Sequence, residues 1–204
     1  MRLLKAGLAV IGLAILLDTP ALSAQENRQF SPVSRAGSSA ARRSGFWFGG
    51  GLASARADVN CNICVNDPKS EMSANLNGGL SLTPGLLLGL EGTGAVNSED
   101  GVDERYVAFS VIVYSYPMGK GLFLKGGLGL IDYRAHDDVD EFTSRPLMAQ
   151  IGGGYEVHVA SNISVLPYIN LLASSKGDLD FNGTRVTDDV SFTLLQFGVG
   201  VTFR

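Results

Sequence analysis

The chain has 204 residues, of which 45% are hydrophobic and 18% are charged, so a mainly disordered polypeptide is excluded. The charged fraction lies below the roughly 25% that is usual for soluble domains. The formal net charge of -4 offers no basic footprint for nucleic acid, so a nucleic-acid-binding function is set aside.

The N-terminus has the layout of a secretory signal peptide. Arg2 and Lys5 precede an apolar run over residues 6–17, and small residues follow at 21–24. This run is shorter than the roughly 20 residues that a membrane-spanning helix requires. We therefore predict a cleaved signal peptide over residues 1–24. Residues 25–44 are rich in Arg, Ser and Ala without apolar periodicity, which predicts a flexible linker.

From Phe46 onward the sequence alternates with a period of two, which is typical of β-strands that have two different faces. We predict eight strands, near residues 46–56, 72–82, 86–96, 105–115, 122–133, 146–157, 163–174 and 189–203. The fifth segment is the clearest, because its leucines fall on one parity, whereas Lys125 and small residues fall on the other. These leucines are Leu122, Leu124, Leu128 and Leu130.

The connections between these strands alternate between tight turns and long loops. The turns lie near residues 83–85, 117–121 and 158–162, and the other four connections are longer and rich in Asp and Glu. Short turns at one end and long polar loops at the other are typical of outer-membrane barrels. We therefore predict an all-β fold, an eight-stranded antiparallel up-and-down transmembrane β-barrel over residues 45–204. A lipocalin-like soluble barrel is the competitor, and it would require a bulky apolar interior rather than the glycine-rich one indicated here.

The chain resembles the small eight-stranded outer-membrane β-barrels of the OmpA/OmpX kind. The resemblance rests on the signal peptide, the strand count, the segment from Tyr114 to Leu130 and the last strand from Leu195 to Phe203. It implies location in the outer membrane of a diderm bacterium and recognition of the last strand by the barrel-assembly machinery. In this group the aromatic residue is terminal, whereas here Arg204 follows Phe203.

The candidate chemistry in the loops and turns is sparse. Cys61 and Cys64 lie three residues apart in the first long loop, and an exported protein can oxidise them to a disulfide; free thiols are the alternative. A redox pair or a zinc site lacks the neighbouring residues that it needs. His158 and Ser161 stand three apart in a turn, which is the wrong spacing for a proton-sharing pair. We expect no catalytic residue, no cofactor and no metal.

The segment from Asp178 to Asp189 resembles a calcium-binding loop in its spacing of oxygen ligands. Its centre, Asn182-Gly183, is also a strong hairpin-turn signal. The hairpin is our main interpretation of this segment, and a calcium site is the alternative.

Glu91, Lys125 and Glu156 have the inward parity, so the sequence predicts a network of paired charges in the lumen, with Lys125 near Glu156. Our functional hypothesis is a non-enzymatic, monomeric outer-membrane barrel with a narrow, largely plugged lumen and acidic extracellular loops. It would serve envelope integrity or surface interaction, in contact with outer-membrane lipids and lipopolysaccharide. A porin-like transporter of small or apolar molecules is the alternative, and a lipid A-modifying enzyme is disfavoured.

Overall fold

The structure is a computed structural model that describes residues 45–60, 69–99, 102–136 and 140–204. The predicted signal peptide (1–24), the predicted linker (25–44) and the predicted pair of Cys61 and Cys64 lie outside these residues. Within the described residues, no helix has the length and apolar character needed to cross a membrane.

The described chain is built from antiparallel strands. They are β1 (Gly45–Asn60), β2 (Lys69–Thr83), β3 (Leu86–Glu99), β4 (Val102–Ser115), β5 (Leu122–His136), β6 (Glu141–Ser144), β7 (Leu147–Tyr155), β8 (Val157–His158), β9 (Ile163–Ser174), β10 (Gly177–Phe181) and β11 (Thr184–Phe203).

The strand pairings close into a ring of eight. β1 pairs with β2, β2 with β3, β3 with β4 and β4 with β5. The ring continues from β5 to β7, from β7 to β9 and from β9 to β11, and β11 returns to β1. Every pair is antiparallel, so the predicted eight-stranded up-and-down barrel is confirmed.

The sixth and seventh barrel strands are interrupted, which the sequence interpretation missed. β6 and β10 lie in segments that we assigned to loops, and they continue the paths of β7 and β9 towards the loop end of the barrel. Pro146 stands at the break between β6 and β7, where a residue without an N–H group cannot donate to a strand ladder. The last strand also begins at Thr184, earlier than predicted, because the hairpin of β10 and β11 extends the sheet beyond the ring.

The two faces of the barrel wall are arranged as the alternation predicts. Leu122, Leu124, Leu128 and Leu130 are between 37% and 71% exposed, whereas Lys125 is 6% exposed. The outward side chains of the other strands are apolar in the same way, among them Leu76, Leu90, Phe109, Ile151, Ile169, Phe197 and Val199. Exposure of this outer apolar belt to water would be unfavourable, because it is a continuous apolar surface. Its composition is that of a lipid-facing barrel wall.

Candidate functional site: the barrel lumen

The lumen is filled by side chains in three layers. An aromatic cluster lies at the loop end, where the ring centroids of Tyr106 and Tyr133 are 4.9 Å apart and those of Tyr133 and Phe192 are 4.8 Å apart. A second apolar cluster lies at the turn end and includes Trp47 and Phe123. Buried polar side chains occupy the space between the two clusters.

Glycine and alanine positions on the inner face create the room for this filling. On β5 a Cβ atom built at Gly127 would lie 3.0 Å from Gln150 Cγ, and one built at Gly129 would lie 2.7 Å from Ser110 Cα. Both distances are too short for an unperturbed contact, so a larger residue would push neighbouring strands or side chains away. The small inner residues therefore allow side chains of the neighbouring strands to meet over β5.

A chain of hydrogen bonds runs through the polar layer. Gln150 Nε2 donates to Ser110 Oγ at 2.5 Å. The Asn170 amide is in hydrogen-bond contact with Gln150 and with Gln196, at 3.1 and 3.0 Å. Gln196 Nε2 donates to Ser73 Oγ at 2.9 Å. Because each of these five residues is at most 7% exposed, the chain satisfies polar groups that have little access to bulk water.

An ion pair lies in the middle of the lumen. Lys125 Nζ is 2.8 Å from Glu91 Oε1 and 3.1 Å from Glu91 Oε2, and the two side chains are 5% and 1% exposed. Asn77 Nδ2 donates to Glu91 Oε2 at 3.1 Å, and the ring centroid of Tyr168 lies 5.9 Å from Lys125 Nζ. A buried pair needs such additional partners to offset the loss of hydration.

A small cavity adjoins this ion pair. Its volume is about 20 Å³, and its lining includes Glu91, Lys125, Asn75 and Tyr114. A volume of this size holds about one water molecule, and the polar lining offers the hydrogen-bond partners that a buried water requires.

Glu156 belongs to a different cluster from the one expected. The strand register pairs Lys125 with Gly152, and Glu156 forms its ion pair with Arg204 at the turn end of the barrel. Arg204 Nη2 also lies 3.4 Å from the Tyr116 hydroxyl. The sequence interpretation missed Arg204 and Tyr116, because inward parity alone does not tell how far along the barrel axis two side chains lie.

His158 contacts a serine that the sequence analysis did not consider. His158 Nδ1 is hydrogen-bonded to Ser164 Oγ at 2.8 Å, because the register places His158 opposite Ser164 on the neighbouring strand. Glu156 Oε1 lies 3.7 Å from the same ring nitrogen. A catalytic relay needs the serine and the carboxylate on opposite nitrogens of the ring and a serine that substrate can reach. Ser164 is only 2% exposed, so this cluster is not arranged for nucleophilic attack.

The segment from Asp178 to Asp189 forms a hairpin. Asn182 and Gly183 have φ angles of 48° and 78°, as a tight two-residue β-turn requires. Asp178 forms an ion pair with Arg185, and Lys176 Nζ lies 2.7 Å from Asp189 Oδ1. Both carboxylates are thus engaged with basic side chains across this hairpin.

Not every acidic residue that we assigned to the loops is exposed. Glu71 is 4% exposed, because β2 begins at Lys69 and gives Glu71 the inward parity of a barrel strand. Within the described residues, no group of three or more His, Cys, Asp or Glu side chains is placed to hold a metal ion.

Comparison with known proteins identifies the fold. No protein-family model and no curated protein matches the sequence. Among solved structures, the chain is similar to Neisserial surface protein A, with a TM-score of 0.58 and 16% identity over 78% of this chain and 97% of that one. It is also similar to Ail, the attachment invasion locus protein of Yersinia pestis, with a TM-score of 0.55 and 14% identity over 78% and 99% of the two chains. At these identities the likeness is one of fold, and the fold is that of a small outer-membrane β-barrel.

Proposed function

We propose that the protein is a non-enzymatic integral barrel of the outer membrane whose lumen is closed to ions and whose loops act at the cell surface. The outer apolar belt and the fold support the location. The observation that carries the proposal is the filled lumen, with the buried pair of Lys125 and Glu91 at its centre and a void of about 20 Å³ beside it. A void of that size does not supply a continuous aqueous path.

The interior chemistry supports a structural role rather than catalysis. Five side chains of the polar layer form one chain of hydrogen bonds, and Ser164, the serine in contact with His158, is buried. The similar Ail structure is named for attachment and invasion, which favours a surface role for loops carried by this fold. Insertion by the barrel-assembly machinery and a monomeric state are parts of the same proposal.

Planar-bilayer conductance tests the closed lumen. Wild-type protein should give negligible ionic current, whereas Lys125→Ala should leak, because it removes a side chain from the middle of the barrel and leaves Glu91 without its cation. Lys176→Ala is the matched control, since it removes an exposed lysine whose partner lies on the surface. A steady current through the wild-type barrel would overturn the closed lumen and favour a porin-like transporter.

A variant with a shortened hairpin distinguishes a role in envelope integrity from a role in surface interaction. In a strain lacking the protein, we would compare wild type with a variant in which residues 180–186 are replaced by a two-residue turn, which keeps the buried Leu179 and its register partner Thr187. Dye uptake reports envelope integrity, and adhesion to host-derived surfaces reports surface interaction. If the loops carry the function, the variant restores the barrier but not adhesion. Equal adhesion by both proteins would remove the hairpin from the proposed surface role.

A further inference from the structure

Two arginines stand side by side on the outside of the barrel. The strand register places Arg105 of β4 directly opposite Arg134 of β5. Both side chains are exposed, and both lie where the outer apolar belt gives way to the loop end. Side chains that face each other across a strand pair have Cβ atoms roughly 5 Å apart, and like charges in that arrangement repel. An anion between the two guanidinium groups would remove that repulsion.

A third arginine completes the cluster. Asp132 Oδ1 lies 3.0 Å from Arg134 Nε, and Asp132 Oδ2 lies 2.9 Å from Arg145 Nε. The side chains of Arg134 and Arg145 are 49% and 68% exposed despite these contacts. Asp132 therefore fixes the positions of two guanidinium groups while leaving much of their surface accessible. We call Arg105, Arg134 and Arg145 the arginine cluster.

An apolar groove begins beneath the arginine cluster. It has a volume of about 790 Å³ and is lined on the outside by Arg105, Phe109, Leu128 and Leu130 together with residues of β2 and β3. Its lining also includes Gly92 and Gly94, which have no side chains to fill it. From Arg105 to Val111 the groove follows seven residues of β4, whose six residue-to-residue steps span roughly 20 Å at the rise of a strand.

We propose that the arginine cluster and this groove bind a phosphorylated glycolipid of the outer leaflet, with its phosphate on the guanidinium groups and one acyl chain in the groove. Arginine presents a planar fork that matches phosphate oxygens, and a cluster at the membrane surface attracts anionic lipids. The inference rests on the proposed orientation in the outer membrane, which places the loop end outside. The groove is continuous with the arginine cluster, so one amphiphilic molecule satisfies both.

Lipid A is the probe for this site. Binding of bisphosphorylated lipid A to the folded full-length chain in detergent would be measured by native mass spectrometry and by titration. The Arg105→Ala/Arg134→Ala double variant should bind about tenfold more weakly, because two charge-assisted contacts to phosphate are lost. Arg56→Ala is the matched control. Arg56 is an exposed arginine at the loop end of β1, where its register partners are Ser70 and Leu195.

A second variant tests the groove without touching charge. A Cβ atom built at Gly94 has no neighbour closer than 4.0 Å, so Gly94→Leu should fold and fill the groove. It should weaken lipid A binding while leaving the electrophoretic mobility of the unboiled barrel unchanged. The gel mobility tests the proposed membrane fold separately from lipid binding. If wild-type protein does not form a barrel whose mobility changes on heating, the proposed function itself is contradicted. If the barrel forms but lipid A does not bind, only the lipid site is contradicted.

Four outcomes would overturn the site. They are equal binding of lipid A after removal of its phosphates, equal binding of phosphatidylglycerol, wild-type affinity in the double variant, and an equally large loss in Arg56→Ala. The second outcome would indicate a general attraction to anionic lipids, and the last would indicate non-specific electrostatics. A fifth outcome, dimer formation that masks the groove in wild-type protein, would also overturn the lipid site and assign this surface to a second copy of the chain.

Discussion

Gln150 on β7 donates a hydrogen bond to Ser110 on β4, although β5 lies between these two strands. The contact is made over glycine, since Gly127 and Gly129 are the residues of β5 that face the lumen at this level. The polar layer of the lumen therefore depends on the absence of side chains on one strand as much as on the amides of its neighbours.

Gly129→Ala should destabilise the barrel. A Cβ atom at this position would clash with the carbonyl oxygen of Phe109, so the backbone of β4 must move. We expect the free energy of unfolding to fall by about 1 to 3 kcal/mol, the usual cost of overpacking. Urea unfolding in lipid vesicles measures it. Gly126→Ala is the control, because its Cβ atom would have no neighbour closer than 4.0 Å. Equal stability of both variants would contradict the crowding argument.

Leu128→Arg should oppose insertion into lipid. Leu128 is 71% exposed and lies within the outer apolar belt, so the substitution places a guanidinium group in hydrocarbon. The expected cost is about 2 to 4 kcal/mol for a site near mid-membrane. The folded fraction in vesicles of defined thickness would be measured against Leu128→Ala, which keeps the site apolar. Normal folding of the arginine variant, together with binding of apolar ligands in the interior, would favour a lipocalin-like barrel.

The buried ion pair should show strong coupling in a double-mutant cycle. Lys125→Met or Glu91→Gln alone leaves one partner without its counter-charge, which costs about 3 to 5 kcal/mol where water is excluded. The double variant should lose less than the sum of the two single losses. Fluorescence of Trp47, the single tryptophan, reports unfolding because its side chain is 3% exposed in the folded barrel. Additive losses would mean that water enters and screens the pair.

Gly183→Ala should loosen the hairpin between β10 and β11 without unfolding the barrel. Gly183 has a φ of 78°, a conformation that costs an ordinary residue about 1 to 2 kcal/mol. We expect faster trypsin cleavage after Arg185 in the folded protein, while the heat-dependent gel mobility stays unchanged. Gly126→Ala is the control and should be cleaved at the wild-type rate, because Gly126 has no positive φ and its Cβ atom would have no neighbour closer than 4.0 Å. An unchanged cleavage rate in Gly183→Ala would argue against strain at this turn.

The sequence predicted the barrel wall well because the wall depends on local alternation. The odd or even position of Leu128 and Lys125 in the strand predicts which of them faces outward and which faces the lumen. Gly, Pro and Asn residues predict where the turns lie. The sheet beyond the ring was missed, since β6 and β10 are short and their charged residues also suit a solvated loop.

The contacts inside the lumen could be predicted only in part. Parity placed Glu91, Lys125 and Glu156 on the inner face. Which of these side chains pair, however, depends on how far along the barrel axis each residue lies, and this is set by the register between strands that are far apart in sequence. Glu91 is 34 residues from Lys125, and Glu156 is 48 residues from Arg204. The arginine cluster was missed for a related reason: Arg105 and Arg134 look like isolated rim residues until the register sets them side by side.

The hydrogen bond from Gln196 to Ser73 has a consequence for how the barrel can open. Its two residues lie on either side of β1, and the inner residues between them, Ala53 and Ala55, carry only methyl groups. The junction of β1 and β11 is thus stabilised by a side-chain hydrogen bond inside the lumen as well as by its main-chain hydrogen bonds. Parting the wall there would expose a buried amide to an apolar environment, and a slip of one residue would turn Gln196 towards lipid. Lateral opening of the barrel between β1 and β11 should therefore cost more than the loss of the main-chain ladder alone, because the Gln196–Ser73 hydrogen bond must break as well.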